Sequence, residues 1–164
     1  MSEALTRSPL EALAERWDAA WTGRHGGSFT DCCTGDVAYE DPVAVEPLAG
    51  VEALAAHSER LWRAFPDVRV ERSAEPIGGE RFACLPWRVL GTQRGDLAGL
   101  PASGRFVVLH GVHYVELSDG LIRRARGFFD LYEAGVQLGL LPARGGLGET
   151  ALLMLRGFGL RPRS

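Results

Sequence analysis

The sequence predicts an α+β domain in which helices from the N-terminal half cover a curved antiparallel sheet from the C-terminal half. Three observations carry this. Apolar residues recur at helical spacing in two stretches before Pro66. Beyond Pro66 the apolar pattern changes to period two. Gly78-Gly79 and Ser118-Asp119-Gly120 then divide the alternating stretch as hairpin turns would.

The first helix begins at Ser8-Pro9-Leu10-Glu11, where Ser8 can cap, Pro9 suits the first turn and Glu11 completes a capping box. Leu10, Leu13, Ala14, Trp17 and Trp21 form its apolar stripe, and Gly23 ends it. A short second helix is expected next, with Ser28 and Asp31 as capping pair and Phe29, Cys32 and Cys33 as its apolar side. Residues 37–41 read as a short strand closed by Pro42. A third helix buries Val51, Leu54, Leu61, Trp62 and Phe65 and stops at Pro66. Four strands follow, over 68–73, 82–92, 106–117 and 121–129, with residues 94–104 as a long hairpin loop. Pro86 inside the second of them suggests an edge or a bulge. A last helix is expected from Asp130 to about Gly139. Beyond a Gly-rich linker, the apolar segment 151–158, which includes Met154 and Phe158, must be buried somewhere.

The strand 106–117 is apolar in the middle of both faces, one running Val107, Leu109, Gly111, His113, Val115 and the other Phe106, Val108, His110, Val112, Tyr114. Helices cover one face of such a sheet, so the second needs another cover, and a homodimer partner is the simplest.

Composition narrows the function. With 164 residues, 46% of them hydrophobic, the chain is expected to form one domain, with a core at about 9–141 and an apolar tail from about 142 to 164. A net charge of −3 and a single basic cluster, Arg123, Arg124 and Arg126, argue against nucleic acid as a partner. No run approaches the ~20 apolar residues of a spanning helix, and the N-terminus lacks signal-peptide character, so no membrane association and a cytoplasmic location are expected. All 18 basic residues are arginine, which excludes Schiff-base chemistry on a lysine. Cys32, Cys33 and Cys84 fit neither a zinc spacing nor a disulfide framework. His110 and His113 lie on opposite strand faces, so no metal is expected.

His113 is the one strongly polar side chain on its strand face, placed to donate to developing negative charge or to move a proton. Asp41 ends a strand before Pro42, with Tyr39 on the same face as a second donor. Asp130 could be an acid/base residue, but Asp130-Leu131-Tyr132-Glu133 is also a capping box, and alternation puts Phe129 and Asp130 on opposite faces. His57 shares the stripe of Leu54 and Leu61. Trp17, Trp62, Trp87 and Phe129 would supply core and flat pocket walls.

Five segments resemble the SnoaL-like polyketide cyclase family, within the nuclear-transport-factor-2-like or ketosteroid-isomerase-like superfamily. They are Tyr39-Glu40-Asp41-Pro42, Ala64-Phe65-Pro66-Asp67, Trp87 with Gly91-Thr92, residues 100–105 entering the long strand, and Asp119-Gly120 through Phe128-Phe129-Asp130. The resemblance implies a cone-shaped α+β barrel, a strongly curved mixed or antiparallel sheet around a deep pocket, and a homodimer. It also implies cofactor-independent acid/base chemistry on an apolar carbonyl compound, by enolisation with intramolecular aldol closure or isomerisation. The cyclase aspartate falls on Asp130. The isomerase base falls on Asp41, the oxyanion-binding strand residue on His113 and the first-helix tyrosine on Trp17. Gln93 stands where many cyclase relatives carry a histidine. Two other functions suit the same fold: a limonene-type epoxide hydrolase, for which Arg88 lacks its partner carboxylate at Leu90, and a non-catalytic binding or dimerisation module.

Overall fold

The computed structural model of the protein describes residues 8–23 and 28–156. Helix α1 (Pro9–Thr22) starts with the expected capping box, in which the Ser8 hydroxyl accepts from the Glu11 N–H and the Glu11 carboxylate from the Ser8 N–H. It ends on Gly23 in the left-handed conformation (φ 60°). The expected second helix is only a 3-10 turn, Phe29–Asp31, closed by the Ser28–Asp31 capping pair. The chain instead extends early into β1 (Cys33–Glu40), so Cys32 and Cys33 are buried core residues at its start. The short β2 (Leu48–Ala49) leads into α2 (Val51–Ala64).

The strands β3 (Arg69–Arg72), β4 (Ile77–Gly78), β5 (Phe82–Thr92), β6 (Phe106–Ser118) and β7 (Leu121–Phe129) follow. They complete one seven-stranded sheet of order β2-β1-β7-β6-β5-β3, with β4 also paired to β5. All pairs are antiparallel except β1 with β7, so the sheet is mixed. With α1 and α2 packed on its inner face it forms the cone-shaped α+β architecture. Pro86 creates neither an edge nor a bulge, because its register opposite Val112 is regular. Its carbonyl accepts from Ser73 N–H just beyond β3, so its missing donor falls in the gap between β3 and β4.

The inner face of β6 is the one carrying Val107, His113 and Val115, all buried. It packs against Leu13, Ala14, Trp17, Ala20 and Trp21 of α1 and Leu54 of α2. The outer face exposes Phe106 and, from neighbouring strands, Phe82 and Phe128. Helix α3 (Leu131–Gln137) is capped by Asp130, and α4 (Leu147–Leu155) lies in the apolar tail. No residue of α4 is buried: Leu147 is 91% and Leu155 86% exposed, contrary to the burial expected for this segment. Phe158 lies outside the described residues. Among the described residues no helix is long and apolar enough to cross a membrane.

Candidate active site

The curved inner face leaves a cavity of about 440 Å³ between sheet, α2 and α3. Trp21, Trp62, Trp87, Phe65 and Phe129 supply its aromatic wall, and Leu97, Leu100, Leu131, Leu140 and Leu141 an aliphatic one. Among the described residues, its only ionisable lining groups are Tyr39, Asp41 and His113.

Strand alternation, continued one residue past the end of β1, sets Tyr39 and Asp41 on the same face. Parallel pairing with β7 puts Tyr39 beside Ala125, and antiparallel pairing of β6 with β7 puts His113 opposite Gly127. A Cβ at Gly127 would stand 3.1 Å from the Tyr39 hydroxyl, 3.2 Å from Asp41 Cβ and 3.4 Å from His113 Cδ2. The glycine therefore makes room for the three side chains to meet. Gly111 plays a similar part under Trp87, whose ring would lie 2.2 Å from an added Cβ. Sequence reasoning passed over both. An isolated glycine inside a strand is the signal for such a close approach.

The Asp41 carboxylate accepts four hydrogen bonds. Its Oδ1 takes the backbone N–H of Val43 (2.8 Å) and Ala44 (2.7 Å), which closes the turn after Pro42. Its Oδ2 takes the Tyr39 hydroxyl (2.9 Å) and His57 Nε2–H (2.8 Å). The Asp41 and His57 side chains are each only 4% exposed. Burial pushes the Asp41 pKa up, but the hydrogen bonds from His57, then Tyr39 and the Val43 N–H, overcome it. The carboxyl is held below its usual range and is ionised.

Burial, and then the Asp41 charge and hydrogen bond, raise the Tyr39 hydroxyl well above its ordinary value, so it keeps its proton. His113 is driven by burial from 6.5 to about 3, against the pull of Asp41, and is neutral. The Trp17 indole N–H donates to His113 Nδ1 (3.1 Å), which leaves the imidazole proton on Nε2. That Nε2–H faces the Tyr39 oxygen at 3.4 Å, so the donor chain runs from His113 to Tyr39 to Asp41. Trp21 stacks on the His113 ring (5.4 Å, 11°). The indole N–H groups of Trp21 and Trp87 are buried without an acceptor.

Asp41, Tyr39 and His113 thus converge at one end of the cavity, with Trp62, Trp87 and Phe129 on its wall. Trp17 stands behind His113, and His57 behind Asp41, outside that lining. Asp130 does not join them. Its carboxylate accepts from Glu133 N–H at the start of α3 and pairs with Arg144 (3.0 Å), and its side chain is half exposed. Strand β7 ends at Phe129, so alternation keeps Phe129 inward and Asp130 outward. Arg88 lies off the cavity, paired with Glu71. Gln93 is buried and ties the 93–105 loop through Gly95, Pro101 and Ser103.

Fold and apolar cavity define a pocket protein of α+β cone architecture. The chain belongs to the SnoaL-like polyketide cyclase family, whose model matches residues 11–138. Solved structures are similar across most of the chain. TsrD from Streptomyces laurentii shares 26% identity at a TM-score of 0.72, covering 84% of this chain and 99% of that one. A candidate SnoaL-like polyketide cyclase from Jannaschia sp. CCS1 shares 23% identity at a TM-score of 0.70, over 85% and 100%. A protein of ketosteroid-isomerase-like fold from Catenulispora acidiphila, solved with trimethylamine, shares 17% at 0.64, over 78% and 92%. Among functionally curated proteins none matches significantly.

Proposed function

We propose that the protein is a cofactor-independent cyclase or isomerase that enolises an apolar, polyketide-like carbonyl compound. One observation carries this reading: among the described residues, Asp41, Tyr39 and His113 are the only ionisable groups lining an otherwise apolar cavity. Such a cavity selects a neutral, largely apolar ligand, and the cluster offers it a single polar end.

In this reading the ligand carbonyl lies at the Tyr39–His113 end and its α-carbon over Asp41 Oδ2. Asp41 takes the α-proton and becomes neutral. Charge moves to the enolate oxygen, and the Tyr39 O–H turns from Asp41 to that oxygen. His113 Nε2–H donates alongside it, as a neutral imidazole whose proton is held in place by Trp17. The enolate carbon then attacks a second carbonyl, closing a ring, or is reprotonated at a conjugated position. Protonated Asp41 returns its proton to the resulting alkoxide or carbon, so the enzyme is restored. Asp130 serves as the cap of α3, and the outer sheet face is where a homodimer partner would sit.

The lowered pKa of Asp41 favours a second reading, a binding module without chemistry, because a fully hydrogen-bonded carboxylate is a weak base. Epoxide hydrolysis loses support, since among the described residues neither an arginine nor a second carboxylate lines the cavity. The wild-type protein should exchange the α-protons of β-tetralone or an aromatic β-keto ester for deuterium in heavy water, and Asp41→Asn should lower that rate about 10²–10⁴-fold. Binding of these probes without exchange above the buffer rate would establish the binding module.

A further inference from the structure

Behind Asp41 lies a second, outward-facing cleft of about 760 Å³, lined by His57, Arg60, Arg63, Glu46 and Asp96 among others. His57 separates it from the Asp41 end of the main cavity. One ring edge bonds Asp41 and the other faces the cleft, where an Arg60 guanidinium N–H lies 3.2 Å from Nδ1. Arg60 and His57 are three residues apart on α2, so they share a face of that helix. Among the described residues no carboxylate forms an ion pair with Arg60.

An arginine has only donors and is always charged. The nitrogen it faces must therefore be a bare acceptor, which puts the ring proton of His57 on Nε2, against Asp41. In the other tautomer, an imidazole lone pair would face a carboxylate oxygen at 2.8 Å. A doubly protonated ring would set an N–H and a positive charge against the guanidinium. The groups packed around the ring are Asp41 and Tyr39 from the β1 end, Arg60 from its own helix and Trp21 from α1.

We propose that Arg60 is a positioning residue for the Asp41 centre: from the outer cleft it locks His57 as the Nε2–H tautomer, and so fixes one of the two donors that orient Asp41 Oδ2. The tautomer lock belongs to the ligand-free protein. Its consequence for turnover rests on the enolisation proposed above.

The test is nitrogen-15 NMR of the imidazole rings in the full chain, with the His57 signals identified by their loss in His57→Gln. Wild-type His57 should show an unprotonated Nδ1 facing Arg60 and a protonated Nε2 facing Asp41. In Arg60→Met, Nδ1 should gain proton occupancy, and Arg60→Lys should restore the wild-type pattern. In the α-proton exchange assay, Arg60→Met should lower kcat about 10-fold with KM nearly unchanged, and Arg60→Lys should recover most of that loss. A protonated Nδ1 in the wild type, or the same pattern in Arg60→Met, overturns the lock. A changed pattern with unchanged kcat overturns the positioning role. A wild type that catalyses no exchange overturns the enolisation reading instead, and the NMR outcome still decides the lock.

Discussion

Gly127 shows how little space the cluster has to spare. It holds no charge and makes no hydrogen bond by side chain, yet Tyr39, Asp41 and His113 all lie within 3.4 Å of where its Cβ would be. These neighbours are buried and mutually hydrogen-bonded, so they can give way only by a few tenths of an ångström. Gly127→Ala should cost about 1 kcal/mol of stability and lower kcat about 10-fold, which urea denaturation and the exchange assay would read together. An unchanged kcat would mean that the spacing of the cluster is not critical. At this scale the sequence was informative where a strand period governs. Tyr39 and Asp41 share a face, and His113 breaks an apolar one. The contact of His57 with Asp41 was not legible, because it depends on how α2 lies against the end of β1.

At the scale of elements, Asp130 joins a strand to a helix, and the two demand opposite things of it. A carboxylate in the cavity would need β7 to break its alternation, whereas a cap needs only an extended residue before α3. Asp130 has φ −78° and ψ 100° and accepts from Glu133 N–H, so the cap prevails. Asp130→Ala should then destabilise the protein by about 1 kcal/mol, and Asp130→Asn, an equally good cap, by far less. Both should retain kcat in the exchange assay, whereas loss of an acid/base residue would cost about 10²–10⁴-fold. The sequence contained both readings of this residue, and the strand end at Phe129 separates them. It did not reveal that β1 would begin at Cys33. The capping pair at Ser28 and Asp31 suggested a longer helix, but pairing of Cys33 with Ile122 draws the chain into the sheet after one turn. Tertiary pairing of this kind overrides local signals.

For the molecule as a whole, burying a neutral histidine and an ionised aspartate in one core couples stability to pH. His113 titrates near 3 in the fold against 6.5 when free, so between these values the unfolded chain binds a proton that the folded one refuses. Stability must therefore fall as pH drops through that window, by up to about 1.4 kcal/mol per pH unit. Asp41 acts lower. Its folded pKa lies below the ordinary 3.8, so its contribution is complete above that value and is lost as pH falls through the folded one. The two losses have the same sign but adjoining windows, and the decline from pH 6.5 to about 4.5 belongs to His113 rather than to Asp41. In His113→Asn the amide oxygen can still accept from Trp17 and nothing titrates at that position. The variant should be less stable than the wild type at neutral pH, yet its stability should decline less steeply through that range. Urea midpoints measured at half-unit steps would distinguish the slopes. Parallel slopes for the two proteins would mean that His113 carries its charge inside the fold, and a neutral imidazole donor would then be the wrong partner for the enolate.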